Sequence, residues 1–466
     1  MKIEQIYTGC LAQGAYYITS NGEAAIIDPL RETAPYLERL KKDGVVLKYI
    51  FETHFHADFV SGHVDLSQKT GAIIVYGPSA NPDFQVLIAT DGQLFEIGNI
   101  KIKAIHTPGH TLESTTYLLL DENDKEQCIF SGDTLFLGDV GRPDLAQKAN
   151  EITQEDLAGM LYDSLYNKIM PLPNNIIVYP AHGAGSACGK KMMSETQDTL
   201  GNQKSMNYAL NQPNKEAFIV AVLDGLTPPP AYFKHNVALN KKGYEGFDTV
   251  LNKGLNPLTL AGFDEITEDK TILILDTRPP AEFYKGFVPG SINIGLNGDF
   301  APWAGNLITD PKQKIVLVTE LGKEEETITR LSRVGFDNVL GFLDGGVEAW
   351  KKERDLDVIN RITPFEFESQ IKNEGGKVID VRGRGEFEKA HLKVAENLVL
   401  NNINEWIGAI DKNKNFFIHC AGGYRSMIAA SILQARGIRN FYEVEGGYNA
   451  IAATNLEKIV DTGCTT

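Results

Sequence analysis

The sequence predicts an α/β protein of roughly three domains, and three observations carry that prediction. Its 466 residues exceed what one hydrophobic core organises. Its N-terminal half alternates short apolar runs with polar turns. Its C-terminal half holds an internal repeat in which apolar strand-like runs alternate with helical segments, the pattern of a parallel sheet covered by helices.

In the N-terminal half the strand-like runs are Ala24–Asp28, Val45–Phe51, Ile100–Ile105, Cys128–Phe130 and Ile176–Tyr179. Each of the last four runs directly into a loop bearing His or Asp, so polar groups from separate strands converge at one edge of a rigid sheet. Pro228-Pro229-Pro230 and the Asn- and Gly-rich sequence that follows, to Pro257, are read as a closing turn and linker.

The repeat is exact at its motifs. Asp276-Thr277-Arg278 with Glu282-Phe283 aligns with Asp380-Val381-Arg382 with Glu386-Phe387 at an offset of 104, and Gly345-Gly346 aligns with Gly446-Gly447 at 101. Copies this long are domains rather than solenoid units. The strands expected are Ile272–Leu275 and Ile315–Val318 in the first copy, and Val378–Ile379 and Phe416–Ile418 in the second.

Apolar residues make up 42% and charged residues 23%, an ordinary globular balance. A net charge of −16 argues against a nucleic-acid or anionic-membrane surface, and an anionic substrate needs a local basic pocket. The first ten residues lack a basic start followed by an apolar run, and no stretch approaches a membrane span. Cys10, Cys128, Cys188, Cys420 and Cys464 are odd in number and scattered, which suits a reducing compartment. The expectation is a cytoplasmic protein without membrane contact.

Two constellations carry chemistry. The first is Thr53-His54-Phe55-His56-Ala57-Asp58-Phe59, followed later by Thr107-Pro108-Gly109-His110, Ser131-Gly132-Asp133 and Pro180-Ala181-His182. Imidazoles and carboxylates after consecutive strands suit a metal. The second is Cys420-Ala421-Gly422-Gly423-Tyr424-Arg425-Ser426, between a strand and a helix expected over Met427–Gln434. Paired glycines let successive N–H groups aim at one point, and the helix N-terminus adds partial positive charge. Both favour a Cys420 thiolate as nucleophile, with Arg425 holding an anionic sulfur species.

The four metal-type elements, in this order, resemble the metallo-β-lactamase superfamily over residues 1–245, which implies an αββα sandwich. Its hydrolases, such as glyoxalase II, carry a second-metal His where this chain has Phe59. Two His and one carboxylate with open positions is the pattern of non-haem Fe(II) oxygenases. The region is similar to persulfide dioxygenases in this respect. That resemblance implies one Fe(II) per chain held by His54, His110 and Asp133, with His56, Asp58 and His182 orienting ligands or solvent. The residues alone leave the choice between His54 and His56 open. Gly138-Asp139-Val140-Gly141-Arg142-Pro143-Asp144 fits the same family, and Arg142 either meets a thiol carrier's carboxylate or bonds Asp139 or Asp144. Cys188, beside Lys190 and Lys191, is read as a small buried thiol.

The cysteine loop, the Asp-x-Arg segment and the late Gly-Gly resemble rhodanese sulfurtransferases. This implies an α/β domain with a parallel sheet over 361–460, with Ala421, Gly422, Gly423, Tyr424 and Ser426 around the sulfur. The copy over 257–355 places Thr319-Glu320-Leu321-Gly322-Lys323 after its strand, with no cysteine. It is read as an inactive rhodanese-like domain serving as a spacer, or alternatively as a docking surface, with Asp276, Arg278 and Glu282 in internal ion pairs. Cys464 is read as incidental.

Together the resemblances imply oxidation of a low-molecular-weight persulfide by O2 to sulfite and thiol, coupled to thiosulfate formation or use at Cys420. The alternatives are a dinuclear-zinc thioester hydrolase and a sulfur-binding sensor with a closed structural metal. The thiol carrier, the direction of transfer and the oligomeric state stay open, a homo-oligomer being allowed.

Overall fold

The computed structural model describes residues 1–147 and 151–461, so Cys464 lies outside the described residues. The chain divides into two compact units, residues 1–249 with 331–335 and the remainder.

The first unit is the expected four-layer sandwich. One six-stranded sheet runs in sequence order through β1 (Lys2–Thr8), β2 (Gln13–Ser20), β3 (Glu23–Ile27), β4 (Val46–Phe51), β5 (Ile73–Tyr76) and β6 (Leu87–Ile88). The other comprises β7 (Leu94–Ile97), β8 (Ile100–His106), β9 (Thr115–Leu120), β10 (Glu126–Gly132), β11 (Ile177–Pro180) and β12 (Asp198–Thr199), also in order. Inward residues of the two sheets, including Ile18, Phe51, Ile102 and Phe130, form one buried core. Outward residues of the first sheet bury against helices Ala34–Asp43 and His63–Thr70, and those of the second against Gln154–Ser164 and Lys215–Leu223. The central strands thus have two apolar faces, which explains near-continuous runs such as Thr115–Leu120.

The pairings β3–β4 and β10–β11 are parallel, so the loops after the members of each pair leave the same edge. The His54 box follows β4, Asp133 follows β10 and His182 follows β11.

The segment read as a linker folds into helices Phe233–Lys242 and Phe247–Gly254. Its prolines precede the first helix and Gly243 ends it at φ 86°, so these residues punctuate helices rather than abolish them. Asn236 and Asn240 of that helix are fully buried.

In the second unit the repeat is structural. The first copy is a five-stranded parallel sheet ordered Pro257–Leu258, Val339–Leu343, Ile315–Val318, Leu273–Asp276, Ile292–Asn293. The second repeats this order with Arg361–Ile362, Phe441–Val444, Phe416–His419, Lys377–Asp380 and Ala395–Asn397. The Asp-x-Arg motif is a brace in both. Arg278 and Arg382 each donate from Nε and Nη2 to the carboxylate two residues earlier, at 2.6–3.0 Å. Asn293 and Asn397 then bond the carbonyls of that Asp and Arg, tying the neighbouring edge strand to the turn.

Asp380 is fully buried and Arg382 is 5% exposed, so removing one charge strands the other. Asp380→Asn is expected to destabilise the second unit by about 3 kcal/mol in urea unfolding, whereas exposed Glu457→Gln is expected to change it by under about 0.5 kcal/mol.

Candidate functional sites

Asp28, just beyond β3, builds the first site from below. Its carboxylate accepts from Thr53 N and Thr53 Oγ1, both at 2.8 Å, and so pins the start of the histidine box. With its proton given to Asp28, Thr53 Oγ1 accepts from His54 Nδ1 at 2.9 Å. His54 Nε2 is left as a lone pair 3.8 Å from Asp133 Oδ2. His110 donates from Nδ1 to the Arg142 carbonyl at 2.8 Å, leaving its Nε2 3.3 Å from the same oxygen. All three residues are buried. Burial first, then His56, His110 and His182, push the His54 pKa well below its ordinary value and keep the ring neutral.

Neither oxygen of Asp133 has a hydrogen-bond partner among the described residues. A buried carboxylate facing two lone pairs, with no donor, is a costly arrangement that a cation relieves. Ligand atoms of His54, His110 and Asp133 lie within 4.8 Å of one another. The donor set of two imidazoles and one carboxylate therefore fits a bound metal ion.

His56 belongs to two other clusters, one with Asp28 and Glu52 and one with Asp58 and His182. Its Nε2 is 3.0 Å from Asp28 Oδ1 and 3.7 Å from Glu52 Oε2. Burial opposes its charge, but Asp28, ahead of Glu52, outweighs burial and raises His56 to about 9. His182 Nε2 lies 3.4 Å from Asp58 Oδ2 and 3.6 Å from Asp133 Oδ1. Asp58 is raised, chiefly by burial. Phe59 is fully buried, its ring 4.3 Å from that of His56.

Arg142 takes the loop-fixing alternative. It is 4% exposed, grips Asp144 from Nε and Nη2 at 2.7 Å each, and donates to the Ala187 and Thr227 carbonyls. What it offers the site is the backbone carbonyl that orients His110.

Two participants were not legible as such in the sequence. Asn240 donates to the carbonyls of His56 and Phe59 at 2.8 Å, and its Oδ1 accepts from Ser61 N at 2.9 Å, clamping the histidine loop. No sequence signal separates it from other asparagines of the apparent linker. Cys188, read only as a buried thiol, shares a cluster with Asp133 and His182. Burial, then Asp58 and Asp133, push its thiol up, and Lys190 spends its ammonium on the carbonyls of Ala221, Val222 and Asp224. The lysines therefore do not activate it.

The second site is built on one crossover. Strand Phe416–His419 ends at Cys420, and helix Tyr424–Ala435 starts three residues earlier than the sequence suggests. Gly423, at φ 104°, turns its N–H onto Cys420 Sγ at 3.1 Å, and Ser426 Oγ lies 3.4 Å from the sulfur. Ser426 Oγ also donates to Glu443 at 2.7 Å. Arg425 makes a bidentate pair with Glu386, at 2.5 and 2.9 Å, which holds that carboxylate below its usual range. The late Gly-Gly explains itself here. Tyr448 N and Asn449 N bond the carbonyls of Cys420 and Ala421, and a Cβ on Gly447 would sit 2.5 Å from Cys420 O.

The same register places Thr319 of the first copy where the second has Cys420. There Glu324 replaces Arg425 and accepts from Thr319 Oγ1 at 3.3 Å, so nucleophile and cation are both gone. Asp276 and Arg278 form their ion pair, and Glu282 pairs with Lys285 at 2.8 Å.

Comparison with known proteins gives the same division. The metallo-beta-lactamase superfamily model matches residues 8–182, and the rhodanese-like domain model matches 259–353 and 363–454. Bovine persulfide dioxygenase ETHE1 is 30% identical over 44% of this chain and 73% of its own length. A probable hydroxyacylglutathione hydrolase of Schizosaccharomyces pombe is 32% identical over 34% of this chain, which spans only 59% of that relative. The crystal structure of a metallo-beta-lactamase from Staphylococcus aureus covers 73% of this chain and 98% of its own, with 30% identity and a TM-score of 0.67.

Gly447→Ala is expected to misplace the Cys420 carbonyl. The positive φ and the 2.5 Å approach should together cost about 2 kcal/mol, seen as a lower thermal midpoint and slower alkylation of Cys420 by iodoacetamide.

Proposed function

We propose that this chain, which belongs to the metallo-beta-lactamase superfamily and continues into two rhodanese-like domains, is a persulfide dioxygenase with a built-in sulfurtransferase. The proposed assignment puts oxidation in residues 1–245, an inactive rhodanese-like domain in 257–355, and transfer in 361–460. Enzymatic work in sulfur metabolism follows from the relatives and the rhodanese-like domains.

The observation that carries the reading is the donorless Asp133 carboxylate facing the free Nε2 atoms of His54 and His110. One Fe(II) held by these three would supply the activation of O2 and of the persulfide sulfur. The net reaction is R–S–SH + O2 + H2O → R–SH + sulfite + 2 H⁺, the outer sulfur being oxidised by four electrons and O2 reduced by four. The protein's own part is positional. Thr53 and the Arg142 carbonyl hold the two imidazoles in the tautomer that presents Nε2. Asn240 holds the loop, Phe59 puts a ring without a lone pair where the hydrolases carry a His, and Asp58 with His182 can hold a proton or water beside Asp133.

At Cys420 the Gly423 N–H stabilises a thiolate that takes a sulfane sulfur. Attack by sulfite on the outer sulfur of Cys420–S–SH breaks the S–S bond, leaves the electron pair on Cys420 and yields thiosulfate. Arg425, balanced by Glu386, faces the same pocket.

A second reading, thioester hydrolysis at a two-zinc centre, draws on the hydrolase relatives and on the Asp133, His182, Cys188 cluster. Phe59, which offers no lone pair where the hydrolases carry a His, favours the one-metal reading. Elemental analysis is expected to give one iron per chain, and two zincs would revive the hydrolase reading. Iron-loaded protein is expected to consume O2 only with a persulfide present, and His110→Ala to abolish this; uptake unchanged in that variant would remove the assigned centre. Cys420→Ser is expected to form sulfite but no thiosulfate, measured by ion chromatography.

A further inference from the structure

The pocket over Cys420 is lined from both rhodanese-like copies. Cys420, Gly422, Tyr424 and Arg425 form one wall of a cavity of about 470 Å³, and Asn297, Gly298, Asp299 and Trp303 form the other. The second wall belongs to the copy that lacks a cysteine. The contact is built rather than incidental. Tyr424 Oη donates to the Gly295 carbonyl at 2.7 Å, and a Cβ on Gly298 would lie 2.6 Å from the Tyr424 ring. Beneath it Asn293 N donates to Ser431 Oγ of the catalytic helix at 2.9 Å. The loop that carries Cys420 is therefore seated on the cysteine-free copy.

The charges in this pocket have an uneven balance. Arg425 is neutralised by its bidentate bond to Glu386. Arg330 is taken by Glu326 and the Leu296 carbonyl. Asp299 is exposed at the N-terminus of helix Phe300–Leu307 but makes no side-chain cap, and its carboxylate has no hydrogen bond or ion pair among the described residues. Trp303, one turn along the same helix, lines the same cavity. A free carboxylate next to an aromatic face is complementary to an ammonium group.

We propose that the cysteine-free copy supplies the thiol subsite of Cys420, in which Asp299 and Trp303 receive a small thiol bearing an ammonium group. This rests on Cys420 being the sulfur carrier and names the partner it serves. In the transfer step the bound thiolate, R–S⁻, attacks the outer sulfur of Cys420–S–SH. The new R–S–SH bond forms, the Cys420 S–S bond breaks, and the electron pair returns to Cys420 Sγ; no external oxidant or reductant takes part. By microscopic reversibility the same subsite holds a persulfide donor of that thiol. The first copy is then a component of the active site, which replaces the spacer role read from its missing cysteine.

The test uses the full chain under argon. Cys420 is charged with thiosulfate, the gain of one sulfur atom is checked by mass spectrometry, excess donor is removed, and discharge is timed with three acceptors. Cysteamine carries an ammonium, 2-mercaptoethanol is neutral and 3-mercaptopropionate is anionic. The parent is expected to prefer cysteamine over 3-mercaptopropionate at equal thiolate concentration, and Asp299→Asn to cut that ratio about fivefold. Trp303→Ala is expected to cut the cysteamine to 2-mercaptoethanol ratio about threefold. Glu265→Gln, a carboxylate outside the pocket, controls for general charge and is expected to leave both ratios unchanged. A charged Cys420 that discharges with the same ratios in parent and Asp299→Asn overturns the subsite while leaving the carrier role standing. Failure of Cys420 to gain sulfur overturns both.

Discussion

A carboxylate buried without a hydrogen-bond donor is the constraint around which the first unit is arranged. Asp133 is 2% exposed and neither of its oxygens has a protein hydrogen-bond donor among the described residues, so its charge calls for a cation. Everything around it serves that condition. Thr53 and the Arg142 carbonyl turn the protons of His54 and His110 outward, so lone pairs rather than N–H groups face the carboxylate. Asp28 and Glu52 draw His56 aside, and burial keeps His54 neutral. The sandwich core makes this durable, because the strands that deliver these loops are buried on both faces.

In the second unit one scaffold appears twice and only one copy keeps its nucleophile. The buried Asp–Arg brace and the Asn that ties it to the edge strand are the same in both, since they hold the sheet together whatever the loop does. The loop itself is free to diverge. Thr319 and Glu324 satisfy each other where Cys420 and Arg425 face a pocket, so the first copy keeps the same fold without a cysteine or an arginine in that loop. A copy released from catalysis can then shape its neighbour's pocket, and the Tyr424 contact with Gly295 and Gly298 is the physical form of that dependence.

Local chemistry was determined by the sequence alone. Strand runs that end in His or Asp, a glycine pair after a cysteine, and a repeat with matching motifs each express a rule acting over a few residues, and the corresponding elements stand where they were expected. Family kinship of both halves was legible from those motifs as well. What only the tertiary structure decided are contacts between residues far apart in the chain. Asn240 reaches the histidine loop from a helix that read as linker, because prolines and glycines that punctuate helices look the same as those that prevent them. His54 rather than His56 joins His110 and Asp133 because Asp28, on a neighbouring strand, claims His56. Asp299 and Cys420 line one cavity because two copies of one fold pack through an edge strand and the helix after Cys420, and no pattern along the sequence encodes which surfaces meet.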